Sequence, residues 1–287
     1  MPKPSRALAL SRVAAGDADL DDGGDAWWTS DWEPAPKKRL RGNQSQPWNE
    51  WDSAWYLAHN YEELRYDDRQ LMEWMADFFA GARMRGRGHG IDVGTGTNIY
   101  PSLAMLPLCD KITMVERTVA NVNWLQSEVQ DYAETWDPFW GTFLDRNPSL
   151  YKEITNPRER LESVVDVERG NIFELRRDTY DIGTMFFVAE SITPYRVEFE
   201  RGLRRFLASL RRYAPFAAAF MKNSDGYEVG DHKYAAVRVN EEQITKFLEP
   251  LAHGIKVRTI PTGSNPLRNG YDGLILATGY AGRARRK

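Results

Sequence analysis

Hydrophobic positions along the chain switch between a period of two and a period of about 3.6, and the switches mark out the elements. Residues 48–65, WNEWDSAWYLAHNYEELR, are dense in aromatics with little Gly or Pro, and Trp51, Trp55, Leu57 and Ala58 predict a helical packing face. Residues 68–80 carry the clearest amphipathic stripe, Leu71, Trp74, Met75, Phe78 and Phe79, and Gly81 ends it. Short β-branched runs at 90–93 and 112–115 then flank a glycine turn and a helix-length stretch, which makes a strand–turn–helix–strand unit. Helical periodicity returns at 119–132, at 199–213 with a basic outer face, and at 241–251. Residues 163–167, 181–189 and 214–221 are further strands, and 255–261 and 274–280 close the chain as a hairpin. DIGTMFFVA, at 181–189, is apolar on nearly every position, as a strand covered on both faces must be. Residues 136–160 hold WDPFW and two Asn-Pro pairs and predict an irregular insertion. Strands alternating with helices predict an α/β, Rossmann-like fold: a mostly parallel sheet with helices on both faces, under an N-terminal aromatic helical cap.

The first 46 residues add nothing to that core. DADLDDGGD is acidic and PAPKKRLRG is basic and proline-bearing, so the stretch reads as a disordered or loosely docked tail, with order beginning near Pro47. Trp27, Trp28 and Trp32 are its exceptions and suit docking onto a surface. Residues 47–287 then form one domain, with 47–82 as the cap and 133–162 as an insertion shaping a pocket. A net charge of −3 over 287 residues gives no broad attraction to nucleic acid or an anionic membrane, and the basic end at 283–287 is short. Cys109 is the only cysteine, so no intrachain disulfide forms. Without a cationic-then-apolar start or a long apolar run, a soluble cytoplasmic protein is expected, with a small molecule as its partner and a monomer as the default state. Four scattered histidines give no metal-ligand spacing.

Candidate chemistry begins at the glycine turn. Gly94 and Gly96, around Thr95, let the backbone turn tightly and approach a ligand. Glu116 closes the second strand, where a carboxylate can accept both hydroxyls of a ribose. A P-loop needs a Lys after its glycines, and none follows here. A dinucleotide fingerprint needs a third Gly or Ala, and Ile99 stands in that place. A nucleoside without pyrophosphate remains. With Asp92 at the end of the first strand to meet an ammonium, S-adenosylmethionine fits, its carboxylate near the first helix N-terminus. The competing reading is an ordinary strand–turn–helix without a ligand.

In open α/β sheets ligands bind beyond the carboxyl ends of the strands. Glu190 follows the apolar run directly, where a carboxylate is costly unless paired or used. That makes it the main catalytic candidate by position. Asn121 lies in the first turn of the helix after Glu116, and Asn171-Ile172-Phe173 follows the third strand, where an adenine ring fits. Tyr56, Asn60 and Tyr61 fall at i, i+4 and i+5 and converge, either as core or as a lid whose aromatic faces attract a cation. Asp137, Phe139 and Trp140 of the insertion are either pocket walls or aromatics packed on the domain.

Several of these segments together match one family. DVGTGTNIY, followed by ITMVE and an Asn five residues beyond that acid, resembles the small-molecule N-methyltransferases typified by the nicotinamide, phenylethanolamine and indolethylamine enzymes. The family's opening Tyr-Leu-x-x-x-Tyr is matched by Tyr56-Leu57-Ala58-His59-Asn60-Tyr61, and its apolar strand ending in a carboxylate by FFVAE at 186–190. Its tyrosine turn is matched at 223–227 and its late Asp by Asp272, so the resemblance spans about residues 48–280. It implies a class I S-adenosylmethionine-dependent methyltransferase fold, with S-adenosylhomocysteine as a product. Cofactor contacts are implied at Tyr56, Tyr61, Gly94, Thr95, Gly96, Tyr100, Glu116, Arg117 and Asn121. Asn171 and Ile172 would flank the adenine, and Phe186, Phe187 and Val188 would line the base.

By the same carry-over Asn60, Arg65, Phe187, Glu190, Tyr227 and Asp272 would face the acceptor. Relatives acting on phenylethanolamines carry an acid shortly before the tyrosine of the turn. Ser224, Asp225 and Gly226 stand there in this chain, which makes Asp225 the candidate replacement. The implied activity is in-line methyl transfer to a small amine or N-heterocycle. Glu190 and Asp272 would anchor the ammonium and take its proton, and Tyr56 and Tyr61 would cover the cofactor. Two other readings use the same fold: cyclisation of the cofactor by its own amino group to azetidine-2-carboxylate, and a non-catalytic cofactor-binding scaffold.

Overall fold

The computed structural model describes residues 42–264 and 266–282. The Met1–Arg39 unit, with Trp27, Trp28 and Trp32, and the basic end at 283–287 lie outside the described residues.

Nine strands occur among the described residues: β1 (Gly88–Val93), β2 (Cys109–Glu116), β3 (Val165–Arg169), β4 (Ile182–Phe186), β5 (Pro215–Lys222), β6 (Tyr227–Val229), β7 (His232–Tyr234), β8 (Ala252–Pro261) and β9 (Gly273–Ala281). Seven of them form one sheet of order β3-β2-β1-β4-β5-β9-β8, and β6 and β7 form a separate hairpin. β1 to β5 pair in parallel, and β9 runs antiparallel between β5 and β8. The strand order reverses beside β1. The chain steps outward to β2 and β3 on one side, then returns to β4 on the other, and this opens the crevice in which such sheets bind ligands.

The helices are α1 (Ser53–Tyr61), α2 (Tyr66–Ala80), α3 (Tyr100–Met105), α4 (Val119–Glu128), α5 (Asp137–Arg146), α6 (Pro148–Tyr151), α7 (Pro157–Val164), α8 (Arg196–Ser209) and α9 (Glu241–Leu248). Successive strand residues point to opposite faces, and two cores result. On β5, Ala217, Ala219 and Met221 join the stripes of α2, α3 and α5, while Phe216, Ala218 and Phe220 join α8 and α9. β9 divides the same way, with Leu274 and Leu276 on one face and Ile275 and Ala277 on the other. The predicted Rossmann-like, mostly parallel sheet with helices on both faces is the fold the chain adopts.

Three stretches depart from the sequence reading. Residues 136–160, expected to be irregular, hold α5, α6 and the start of α7. Each Asn-Pro pair starts a helix, with Asn147 and Asn156 at the caps and the prolines in the first turn. Proline costs nothing there, because its missing N–H has no intrahelical partner. The apolar run at 181–189 leaves the strand at Phe186, because Phe187 takes a left-handed φ of 59°. The hairpin β6–β7 went unpredicted; its strands of three residues are too short for a period to show.

Order also begins before Pro47. Asn43 is buried and its N–H donates to Glu198 at 2.9 Å, and the Gln46 amide donates to the Ala235 carbonyl at 3.2 Å.

Candidate functional site

The tips of β1, β2 and β4 open into a cavity of about 750 Å³, within the range of small-molecule sites. Its floor is backbone. After β1, Gly94 takes a φ of 66° and its N–H donates to the Val115 carbonyl at 2.7 Å, tying the turn to β2. A Cβ on Gly94 would lie 2.6 Å from a Val188 methyl, so the turn and the segment after β4 fit each other only through a glycine.

Beside this turn, both oxygens of Glu116 are held from the backbone. Oε1 accepts from the N–H groups of Arg117 and Thr118, each at 2.7 Å, and Oε2 accepts from Gly96 N–H at 3.0 Å. The carboxylate is thereby fixed against the cavity; Oε1 already takes two N–H groups, and Oε2, which takes one, keeps a free acceptor site. Thr118 caps α4, and Asn121 in its first turn accepts from the Ser53 hydroxyl at 2.7 Å, which joins α4 to α1. Asn171 caps the turn after β3 and lines the same wall with Ile172.

The roof is aromatic. Asp52 caps α1 by accepting from Trp55 N–H at 2.9 Å. Trp51 lies 5.0 Å from Tyr56, 5.1 Å from Tyr234 and 6.3 Å from Tyr227, ring centre to ring centre. Tyr234 donates to the Pro47 carbonyl at 3.0 Å, and Tyr227 donates to the Ser191 carbonyl at 3.0 Å. The segment before α1 and the β6–β7 hairpin therefore hold each other over the cavity. Tyr56, Asn60 and Tyr61 do converge: the Asn60 amide donates to the Tyr56 carbonyl at 2.8 Å, and the two tyrosine rings stand 6.2 Å apart. Burial pushes the Tyr56 hydroxyl up to about 12, so it stays protonated and able to donate.

Of the residues singled out from sequence, Tyr56, Asn60, Tyr61, Arg65, Gly94, Thr95, Gly96, Glu116, Arg117, Asn121, Asn171, Ile172, Phe186, Phe187, Val188, Asp225 and Tyr227 line this one cavity. Six others do not. Asp92 is buried beneath the floor, where its oxygens accept from Ser102 and Thr184, each at 2.9 Å. Its carboxylate is taken up by these hydroxyls and does not line the cavity. Tyr100 is fully buried, stacks on Phe139 at 5.9 Å and donates to Asp68 at 3.0 Å.

Phe139 and Trp140 are core, against Tyr100 and Tyr151 respectively, because α5 turns its apolar face onto α2 and α3. They are not pocket walls. Asp272 is exposed outside the cavity, accepting from the Asn223 amide at 2.7 Å. Glu190 lies sealed behind Ser191 and Met221, with Oε1 taking the Met221 N–H at 2.9 Å and Oε2 without a partner among the described residues. Burial pushes its carboxyl up to about 7.

Several wall residues were missed, Asp68 and Arg268 among them. Asp68, in the first turn of α2, lines the cavity, and burial pushes its carboxyl up to about 7 while the Tyr100 hydroxyl opposes the rise. An acid beside a helix start reads from sequence as ordinary dipole pairing. Arg268 belongs to the loop between β8 and β9 and reaches the cavity from there. No periodicity marks a loop arginine.

A mostly parallel sheet with a glycine turn, a strand-end carboxylate and a roofed crevice makes an open α/β fold with a candidate ligand site at the carboxyl ends of its strands. No family model and no curated protein matches this chain. Solved structures overlap it at low identity. The N-methyltransferase NodS from Bradyrhizobium japonicum WM9, in complex with S-adenosyl-L-homocysteine, is 11% identical with a TM-score of 0.46, covering 80% of this chain and 92% of that one. A SAM-dependent methyltransferase from Methanosarcina mazei is 12% identical with a TM-score of 0.49, covering 78% and 100%. A DhpI–SAM–HEP complex is 11% identical with a TM-score of 0.45, covering 78% and 92%. These are what the chain is similar to, and its chemistry has to come from its own residues. Among the described residues there is no cluster of metal-ligating side chains and no helix long and apolar enough to cross a membrane.

Proposed function

We propose that the chain is an S-adenosylmethionine-dependent methyltransferase acting on a small-molecule amine or N-heterocycle. The observation that carries the cofactor is the Glu116 carboxylate, fixed by three backbone N–H groups at the tip of β2 and facing a glycine turn that a Cβ would block. That geometry leaves Oε2 open to a ribose hydroxyl, and Ile99, standing where a dinucleotide site has its third glycine, argues against a pyrophosphate. Asn171 and Ile172 are placed to flank an adenine, and Phe186, Phe187 and Val188 form the base. When bound, the cofactor supplies an electrophilic methyl group on a sulfonium.

The chain's part is mainly positioning, since bringing two reactants into line supplies most of the acceleration in such a transfer. Trp51, Tyr56 and Tyr227 exclude water and offer ring faces to a cation. Among the acids whose carboxyls burial raises to about 7, Asp68 is the one on the cavity wall. A group of that pKa can take the proton of an amine acceptor near neutral pH, and we assign it this role in place of Glu190 and Asp272. Calorimetry with S-adenosylhomocysteine tests the site: the parent binds, and Glu116→Ala binds at least roughly tenfold more weakly, because each bond to a charged group contributes about 1.5–3 kcal/mol. Equal affinities would reject the assignment. Product analysis with amines and N-heterocycles, against a cofactor-only control, separates methyl transfer from cofactor cyclisation.

A further inference from the structure

We propose that the acceptor carries a carboxylate and that Arg268 receives it; this rests on the proposed function and names the substrate class of that site. The guanidinium is held from one side. Nη1 donates to the Gly226 carbonyl at 2.7 Å and the Asn269 carbonyl at 3.2 Å, and Nη2 donates to the Ser224 hydroxyl at 2.8 Å. An arginine has five N–H bonds. Those three leave Nε–H and one Nη2–H, enough for the two-pronged contact a carboxylate makes with arginine. Its carbon lies 5.2 Å from the Tyr271 ring centre and 5.8 Å from that of Tyr227, so aromatic faces on the cavity wall fix its plane.

The charge has no ion-pair partner among the described residues. Among the described residues no carboxylate lies within ion-pair distance of Arg268, and desolvation lowers its pKa. Nearby acids are committed elsewhere: Asp225 to Arg238 at 2.6 Å, Asp67 to Arg65 at 3.4 Å, and Glu228 to Lys233 at 3.0 Å. Glu190 exerts a field on Arg268 from behind Ser191 but does not touch it. A partly buried cation on a cavity wall is costly without an anion, and the anion it awaits is therefore the ligand's.

The cofactor's own carboxylate is the alternative source, and the topology disfavours it. The guanidinium of Arg268, which comes from the β8–β9 loop, is held by the turn that follows β5, whereas Glu116 ends β2. In the order β2-β1-β4-β5 that is three strand spacings, about 14 Å. Arg117 also has no ion pair among the described residues, but it adjoins Glu116 on the nucleoside side.

The test uses isosteric pairs that differ only in charge: indole-3-acetate against indole-3-acetamide, and phenylacetate against phenylacetamide. Each is titrated by calorimetry into the full chain, with and without saturating S-adenosylhomocysteine. The acids bind at least tenfold more tightly than the amides, and Arg268→Gln removes that difference while leaving S-adenosylhomocysteine affinity within twofold. Equal binding of acid and amide, or binding of neither, overturns the proposal. Loss of S-adenosylhomocysteine affinity in Arg268→Gln also overturns it, by returning the arginine to the cofactor. Failure of the parent to bind S-adenosylhomocysteine instead overturns the cofactor reading, while the acid–amide comparison on the cofactor-free protein still decides this one.

Discussion

The floor and the roof of the cavity are built by different physics. The floor is held from the main chain: backbone N–H groups bind the Val115 carbonyl and the Glu116 carboxylate at 2.7–3.0 Å within one contiguous strand–turn–helix–strand unit. The roof is side chain: Trp51, Tyr56, Tyr227 and Tyr234 meet ring to ring from segments nearly two hundred residues apart. Backbone bonds in a sheet fix atoms closely and allow no graded change. Ring contacts contribute about 0.5–1.5 kcal/mol each and can part and re-form. On the proposed function, the floor selects the ligand and the roof encloses it.

The largest effect follows from breaking the floor. Gly94→Val sets a branched side chain against Val188 at a φ of 66°, costing about 1–3 kcal/mol in backbone strain and a similar amount in overpacking. S-adenosylhomocysteine affinity should fall by a factor of roughly ten or more in calorimetry. A variant that folds and binds normally would remove the floor from the site.

Next comes the pH dependence of the buried acids. Burial raises the Asp68, Asp92 and Glu190 carboxyls to about 7. Their unfolded values lie near 4. Between those values the folded state holds protons that the unfolded state releases, so stability falls as pH rises from about 4 to about 7 and levels off above. His89, whose pKa burial lowers, acts in the opposite sense near its unfolded value. Comparing Asp92→Asn with the parent cancels that contribution. Between pH 5 and pH 7 the unfolding free energy of the variant, from urea titration, should fall less steeply, by up to about 1.4 kcal/mol per pH unit.

A smaller effect belongs to the roof. Trp51→Ala loses the contacts to Tyr56, Tyr227 and Tyr234 but leaves Glu116 untouched. S-adenosylhomocysteine binding should weaken only about two- to tenfold, and amide exchange should speed up in β6 and β7. Exchange confined to β1 and β2 would reverse the assignment of rigidity. The smallest effect is expected from Asp272→Ala. The side chain is exposed outside the cavity, and its loss should shift stability by no more than about 0.5 kcal/mol and leave turnover unchanged. A large loss of turnover would restore the catalytic role first read for it.

The floor was legible because its parts are close in sequence and each carries a local signal: β-branched runs, positive-φ glycines and an acid at a strand end. The roof was half legible. Tyr56, Asn60 and Tyr61 share one helix, so their convergence follows from helical spacing, but the hairpin that meets them has no periodic signature. Where sequence position led astray, the cause was side-chain direction. Glu190 follows the central strand as expected. The left-handed turn at Phe187 redirects the chain, and Glu190 ends beneath Ser191 and Met221 and away from the ligand space. Phe139 and Trp140 were read as loop residues; once their segment forms a helix, its apolar face belongs to the core.

By itself, the sequence determined the layered α/β sheet, the glycine turn and the strand-end acid, because periodicity and backbone freedom are local properties of a chain. Only the tertiary structure decided which acids reach the cavity, that Asp68 does and Asp272 does not, and that Arg268 arrives there without an ion pair among the described residues. Those outcomes depend on how loops from distant strands turn over the sheet edge, and no short stretch of residues encodes that.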